Sequence, residues 1–145
     1  MTTAAHVAGY LLSKLGELST MKLQKLVYYS QAWSLVWDDR PLFSDRIEAW
    51  ANGPVCPSLY ASHRGKFSVT QQDFPYQVGS LTTDEAETVD AVIDYYGDRS
   101  AHWLSVQTHN EEPWIRARQG CQEGAICTAE ITHASMAEYY SAYTL

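Results

Sequence analysis

Residues 21–37 read MKLQKLVYYSQAWSLVW, and this stretch decides the predicted fold. Leucine, valine, tyrosine, alanine and tryptophan recur through it so that a helix formed here has almost no polar face. A helix that is apolar on nearly all sides is usually central, with neighbours around it. We therefore predict a helix over about Met21–Trp37 at the centre of a mainly α, compact, single-domain multi-helix fold with a small β element.

Two lysines are the only charged residues of this predicted helix. Lys22 and Lys25 lie in its first turn, where the helix dipole disfavours positive charge. One interpretation is that both side chains run along the apolar surface and place their ammonium groups in water. The other is that they meet an acidic group inside the protein or on a partner.

The remaining chain predicts mostly short helices. A first helix over about Thr3–Leu18 ends at Ser19-Thr20, which offers an N-cap for the next helix. Thr82 and Glu85 match a capping box that opens a helix over about Thr83–Tyr96. The other predicted elements are an extended segment at Ile47–Trp50, a helix over about Pro57–His63, a loop or weak strand pair over residues 64–80, a helix over about Ala101–Thr108, a short helix from Asn110 or Glu111, an extended segment at Ala129–Ile131 and a last helix capped by Thr132 or Ser135.

Length and composition limit the classes of function. The chain has 145 residues, 46% of them hydrophobic, which predicts one domain over residues 1–145 with a sizeable core. A net charge of -7 argues against nucleic acid as the main partner. No apolar stretch is long enough to predict a membrane span, and the N-terminus lacks the basic region of a signal peptide.

Three cysteines could carry chemistry. Cys56, Cys121 and Cys127 are odd in number and without CxxC spacing, which favours reduced thiols in a cytoplasm. Cys56 precedes a predicted helix start, where a thiol pKa falls, but His63 is seven residues away and not assured as its base. The spacing of Cys121, Cys127 and His133, and of His102 and His109, matches no metal motif, so neither a metal nor another cofactor is predicted.

The predicted helix near residues 84–98 has a strongly acidic outer face. It contains no basic residue before Arg99. Such a run is usually a solvated face, and the alternative is a docking surface for a basic protein. Its acidic residues are Asp84, Glu85, Glu87, Asp90, Asp94 and Asp98.

Several stretches together resemble the Panacea domain, a family also known as SocA-like or phage-associated (GepA-like) proteins. Residues 21–33 are similar to its KLQKLxYYxQxW signature. The segments over 40–43, 47–50 and 52–60 resemble its central RPLF…IEAWxxGPVxPxxY run, and those over 104–118 and 131–140 resemble its last two motifs. Cys56 departs from the family, which usually has an aliphatic residue there.

The resemblance implies an antitoxin of a type II toxin–antitoxin system, often found in prophages, that is not an enzyme. Its partner would be a cognate toxin, neutralised by direct binding; at least one member of the family instead delivers its toxin to a ClpXP-type protease. We place the interface at the Trp50–Tyr60 loop, the start of the second helix and the His109–Trp114 corner, because aromatic residues dominate binding energies. The predicted toxin-binding residues are Lys22, Lys25, Glu48, Trp50, Tyr60, His109 and Trp114.

Three alternatives stay open at this point. The same motif residues would be equally present if they only fixed the fold. A small cysteine-dependent enzyme using Cys56 is a different class of function. A prophage protein-interaction domain without a toxin would share the fold and differ only in its partner.

Overall fold

The computed structural model describes residues 1–145 and confirms a mainly α fold with a small β element. Two separate two-stranded antiparallel sheets accompany the helices. No helix has both the length and the apolar character needed to cross a membrane. The elements are α1 (Ala4–Leu15), β1 (Leu18–Ser19), α2 (Thr20–Trp37), β2 (Glu48–Trp50), β3 (Gly53–Val55), α3 (Pro57–His63), β4 (Ser68–Val69), α4 (Thr83–Tyr96), α5 (Ala101–His109), α6 (Glu112–Ala117) and α7 (His133–Tyr140).

Helix α2 is buried without interruption from Leu23 to Ser34. It packs against α1, α4, α5 and α7 and against strands β1 and β3. Its interior is less apolar than the sequence pattern indicates, because five of the buried residues are polar or charged. They are Gln24, Lys25, Ser30, Gln31 and Ser34.

Gln31 shows what one of these polar residues does. Its Oε1 accepts hydrogen bonds from the amides of Leu42 (2.7 Å) and Phe43 (3.3 Å), and its Nε2 donates to the Phe43 carbonyl (2.7 Å). The segment that follows α2 is an irregular loop whose backbone polar groups need partners when buried. Gln31 supplies them and so fixes this loop against the helix.

Helix ends follow the local sequence signals. Thr82 and Glu85 form the predicted capping box of α4, and Ser19 caps α2 by accepting from the Lys22 amide. Helix α3 has the predicted bounds, with Pro57 in its first turn. Helix α1 ends at Leu15 rather than near Leu18, because the chain turns at Gly16 and residues 18–19 form β1.

The strands pair differently from the prediction. Within residues 64–80 no strand pair forms, since β4 pairs with β1 and registers Leu18 with Val69. Strands β2 and β3 form a tight hairpin around Ala51 and Asn52. The predicted extended segment near Ile131 lies beside this hairpin, where Ile131 donates from its amide to the Ile47 carbonyl at 2.9 Å.

A buried acid links three helices beside the core. Glu111 precedes α6, and its Oε1 accepts hydrogen bonds from the hydroxyls of Tyr29 on α2 and Tyr140 on α7, both at 2.7 Å. The Tyr140 hydroxyl also lies 3.0 Å from that of Tyr28. Burial raises the pKa of Glu111. The cluster holds α6 and α7 to the middle of α2.

The prediction of three reduced thiols is wrong. Cys121 and Cys127 form a disulfide that closes a short loop, and only Cys56 is free. The sequence spacing could not show this, because pairing depends on a turn that brings the two Cα atoms to 6.1 Å.

Candidate functional site: a cavity at the start of helix α2

A cavity of about 550 Å³ opens between the start of α2, the β2–β3 hairpin, α3 and the disulfide loop. Its volume lies within the range of sites that bind small molecules or side-chain anchors. The residues that line it are Thr20, Met21, Gln24, Lys25, Trp50, Ala51, Asn52, Val55, Tyr60, His63, Gly124, Ile126, Cys127 and Thr128.

Lys25 reaches this cavity across Gly53 of the hairpin. A Cβ at Gly53 would lie 2.5 Å from Lys25 Cε and 3.0 Å from its Nζ, so a side chain there would displace the end of the lysine. Gly53 also has a φ of +123°, which residues with a side chain rarely adopt. Glycine at this position is therefore what allows the lysine to pass between α2 and the hairpin.

Lys25 is a buried residue, and its ammonium group has no counter-ion. Only 1% of the residue is exposed, and it takes part in none of the salt bridges or side-chain hydrogen bonds. Burial lowers its pKa to about 8. Of the two interpretations of this lysine, extension into water is wrong, and no acid inside the protein meets it.

Trp50 and Tyr60 form an aromatic wall of the cavity. Their rings meet edge to face with centroids 4.9 Å apart. Trp50 Nε1 donates to Glu48 Oε1 at 2.9 Å, and Arg46 holds the other carboxylate oxygen of Glu48 at 2.8 Å. Glu48 thus orients the tryptophan from behind the wall and does not itself line the cavity.

Gln24 and His63 line the cavity next to this wall, since the His63 ring meets that of Tyr60 edge to face with centroids 5.3 Å apart. Gln24 accepts from the Cys56 amide through Oε1 at 2.9 Å and donates through Nε2 to the Cys56 carbonyl at 3.3 Å. Its Nε2 also lies 3.0 Å from His63 Nε2, so the imidazole presents that nitrogen as the acceptor. Burial lowers the pKa of His63, which favours the neutral ring.

His109 and Trp114 lie behind the hairpin rather than on the cavity. Their rings stack with centroids 4.2 Å apart, and Trp114 Nε1 donates to the Trp50 carbonyl at 2.8 Å. His109 Nε2 is buried without a hydrogen-bond partner. The pKa of His109 is lowered, first by burial and also by the positive charges of Lys25 and Arg118.

Arg118 joins the hairpin to the disulfide loop. It is buried, and its guanidinium donates to the carbonyls of Ala49 (2.9 Å), Gln122 (3.0 Å) and Ala125 (2.9 Å). An arginine with five fixed donors suits this task, because one planar group satisfies several carbonyls. Arg118 therefore holds the loop that carries Ile126 to the hairpin.

The structure brings six of the seven predicted binding residues into this region. Lys25, Trp50 and Tyr60 line the cavity, while Glu48, His109 and Trp114 support its walls. Lys22 is elsewhere, since its Nζ donates at 2.7 Å to the Gly97 carbonyl at the end of α4. That contact neutralises the negative end of a helix dipole.

Sequence reasoning missed the cavity residues Gln24, His63 and Ile126. Gln24 lies within an apolar helical pattern that predicts core packing, and the sequence suggests for His63 only a role as a base for Cys56. For Ile126 the available signal is a large apolar residue just after Gly124, outside any periodic apolar pattern.

Cys56 is poorly suited to act as a nucleophile. It is buried, its Sγ contacts Ser58 Oγ at 3.4 Å, and burial raises its pKa. A reactive thiolate needs the opposite shift and a base in reach. His63 is paired with Gln24 instead, and no cluster of three or more His, Cys, Asp or Glu residues is placed to hold a metal.

The acidic face of α4 has two kinds of residue. Asp90 accepts from the Tyr10 hydroxyl at 2.7 Å, and Glu85 closes the capping box and accepts from Thr2 at 2.7 Å. Four others are exposed and form no salt bridge: Asp84, Glu87, Asp94 and Asp98.

A sequence profile described as "Antitoxin SocA-like, Panacea domain" matches residues 23–115, from the buried part of α2 through the hairpin to α6. The chain belongs to this family. The matched range holds eight of the 14 residues that line the cavity, and Thr20, Met21 and the lining residues of the disulfide loop lie outside it. The disulfide loop and α7 lie outside the matched range.

One curated relative is Antitoxin SocA of Caulobacter vibrioides (strain NA1000 / CB15N). It is 43% identical over 61 residues, which cover 39% of this chain and 32% of the relative. The match thus spans about a third of the relative's length. No solved structure matches the chain.

Proposed function

We propose that this Panacea-domain protein is an antitoxin of a type II toxin–antitoxin system, and that residues 1–145 act as one module that neutralises a toxin by direct binding. Membership of an antitoxin family is the observation that carries the proposal. The name of the Caulobacter relative agrees with it.

The proposed toxin-binding surface is the cavity and its rim. Phe67 and Ile126 are large apolar residues that are 85% and 95% exposed. Ile126 lines the cavity, and the Phe67 carbonyl accepts from the amide of Thr20, which also lines it. Exposed apolar side chains around a concave aromatic site are typical of protein interfaces. Lys25, Trp50 and Tyr60 would contact the toxin, and Glu48, His109 and Trp114 would hold their geometry.

The first experiment asks whether a partner exists. The reading frame next to the gene is expressed alone and together with a tagged copy of this protein. The proposal expects growth arrest in the first case, rescue in the second and co-purification of the two proteins. A neighbouring frame that is harmless alone and does not co-purify contradicts the antitoxin role and favours an interaction domain without a toxin.

The second experiment locates the surface by a matched pair of variants. Ile126→Asp places a charge on the rim, and Val78→Asp places the same charge at a residue that is 97% exposed and lies away from the cavity. We expect Ile126→Asp to weaken toxin binding at least tenfold and Val78→Asp to leave it unchanged, measured by calorimetry. Equal binding by both variants would move the interface elsewhere, with the acidic face of α4 as the next surface to test.

Neutralisation by binding alone and delivery to a ClpXP-type protease predict different toxin levels. Binding alone leaves toxin abundance unchanged during rescue. Delivery lowers it only in cells that contain the protease, which an immunoblot of matched strains distinguishes.

A further inference from the structure

The cavity has a charge pattern that differs from the rest of the protein. The chain carries 17 acidic residues and a net charge of -7, yet none of the 14 residues that line the cavity is Asp or Glu. Lys25 is the one lysine among them, and no arginine lines the cavity. A cavity without carboxylates does not repel an anion, although the protein as a whole is acidic.

A second cation, Arg118, lies behind the same hairpin. His109 lies close enough to Lys25 and to the buried Arg118 for their positive charges to lower its pKa. Arg118 is satisfied by three carbonyls, whereas Lys25 has neither a carboxylate nor a side-chain hydrogen-bond partner. An unpaired buried charge is costly unless a ligand or partner supplies the opposite charge.

The walls around Lys25 are apolar and aromatic. Met21, Val55 and Ile126 join Trp50 and Tyr60 in the lining. No arginine and no glycine-rich helix start contributes, which are the usual means of holding a phosphate. A single ammonium group inside apolar walls suits a monoanion with an apolar body.

We propose that the cavity binds an apolar group that ends in a carboxylate, with Lys25 as the counter-ion of that carboxylate. The group could belong to a free aromatic or aliphatic acid, or to an acidic residue in an apolar segment of the toxin. The second source rests on the proposed function, and the first does not.

The chemistry is tested without a toxin. Binding of 2-naphthoate, its neutral analogue 2-naphthamide and the cation 2-naphthylmethylamine is measured by calorimetry on the full chain. We expect naphthoate to bind at least tenfold more tightly than the amide, and the amine not to bind. Absence of naphthoate binding at millimolar concentration, or equal affinity for acid and amide, overturns the proposal.

Variants assign the preference to Lys25. Lys25→Met keeps the length of the side chain and removes the charge, so the ratio of acid to amide affinity should fall to one or below. Lys22→Met is the matched control, since Lys22 lies at the end of α4 and should keep the wild-type ratio. Ile126→Asp adds a negative charge at an exposed position on the rim and should lower the affinity for the acid more than for the amide. A Lys25→Met protein that keeps the preference refutes the assignment.

A last experiment distinguishes a free acid from an acidic residue of the toxin as the occupant of the cavity. The naphthoate titration is repeated on the purified complex with the toxin. Loss of binding indicates that the toxin fills the cavity with its own acidic group, and unchanged binding indicates a free acid as the natural occupant. A failed search for a toxin leaves the first two arms intact, so failure of the antitoxin role and failure of the cavity proposal are distinguishable.

Discussion

At the scale of single residues, Lys25 combines a charge with nearly complete burial. Its ammonium group lies 3.0 Å from the position that a Cβ at Gly53 would take, and it forms no salt bridge. Its lowered pKa of about 8 records the free energy that burial of the charge requires. The residue therefore opposes folding in the free protein while it prepares the cavity for an anion.

Lys25→Met should stabilise the free protein at pH 7 by about 1–3 kcal/mol, because it removes a desolvated charge that has no partner. The folded pKa of about 8 lies below the ordinary lysine pKa of 10.5, so the unfolded chain binds more protons between these values. Wild-type stability therefore rises with pH across this window, and the advantage of the variant shrinks. Urea unfolding of both proteins at pH 7 and pH 10 measures the difference.

The control for this prediction is Lys22→Met. It removes a hydrogen bond to the Gly97 carbonyl, so we expect a small loss of stability with no pH-dependent term. Ionisation of tyrosines in the unfolded chain affects all three proteins alike and cancels in the differences. A Lys25→Met protein that is less stable than wild type at pH 7 would contradict the account of Lys25.

At the scale of elements, α2 organises the irregular part of the chain through two glutamines. Gln24 and Gln31 are seven residues apart, two helical turns, and therefore lie on the same face. Each binds backbone groups of a distant segment, Cys56 in one case and Leu42–Phe43 in the other. The signature residues of the family thus have structural tasks that would explain their presence without any contact to a partner.

Gln31→Ala should lower the free energy of unfolding by about 2–4 kcal/mol. It leaves the buried amide of Leu42 and the polar groups of Phe43 without partners, and each unsatisfied group costs on the order of 1–3 kcal/mol. Gln119→Ala, at an exposed position, is the control and should change the stability by less than about 0.5 kcal/mol. Urea titrations that show equal effects of the two substitutions would refute the role of Gln31.

At this scale, the sequence predicts an interaction when the residues that form it are close together in the chain. The capping box of Thr82 and Glu85 is complete within four residues, so the local sequence is enough to predict the start of α4. The pairing of β4 with β1 joins residues about fifty positions apart, and two-residue strands leave no periodic pattern. The burial of Lys25 depends on Gly53 approaching from another element, so no local pattern could reveal it.

At the scale of the whole molecule, the disulfide loop is peripheral to the main core. The hydrophobic core comprises 30 buried residues from α1 through α7, and neither Cys121 nor Cys127 belongs to it. The loop nevertheless provides part of the cavity wall through Gly124, Ile126 and Cys127. The global fold and the cavity should therefore respond differently to reduction.

Reduction of the Cys121–Cys127 bond should lower the free energy of unfolding by at most about 2 kcal/mol, because a loop this short removes little entropy from the unfolded chain. The fold should survive, and only the cavity wall should loosen. Urea unfolding with and without dithiothreitol tests this, and a Cys121→Ser/Cys127→Ser protein should show no response to the reagent. Global unfolding on reduction would show that the loop supports the core.

The glutamine contacts of α2 also have a kinetic consequence, visible in amide hydrogen exchange. The amides of Leu42 and Cys56 are bonded to side chains of α2 and not to a helical turn of their own. Two routes of exchange are open to these amides: a local opening of the loop, or an opening of α2 itself. If the hydrogen bonds to Gln24 and Gln31 prevent local opening, the amides of Leu42 and Cys56 will exchange as slowly as those in the interior of the helix. The loop would then share the lifetime of the most protected part of the protein, although it has no regular secondary structure.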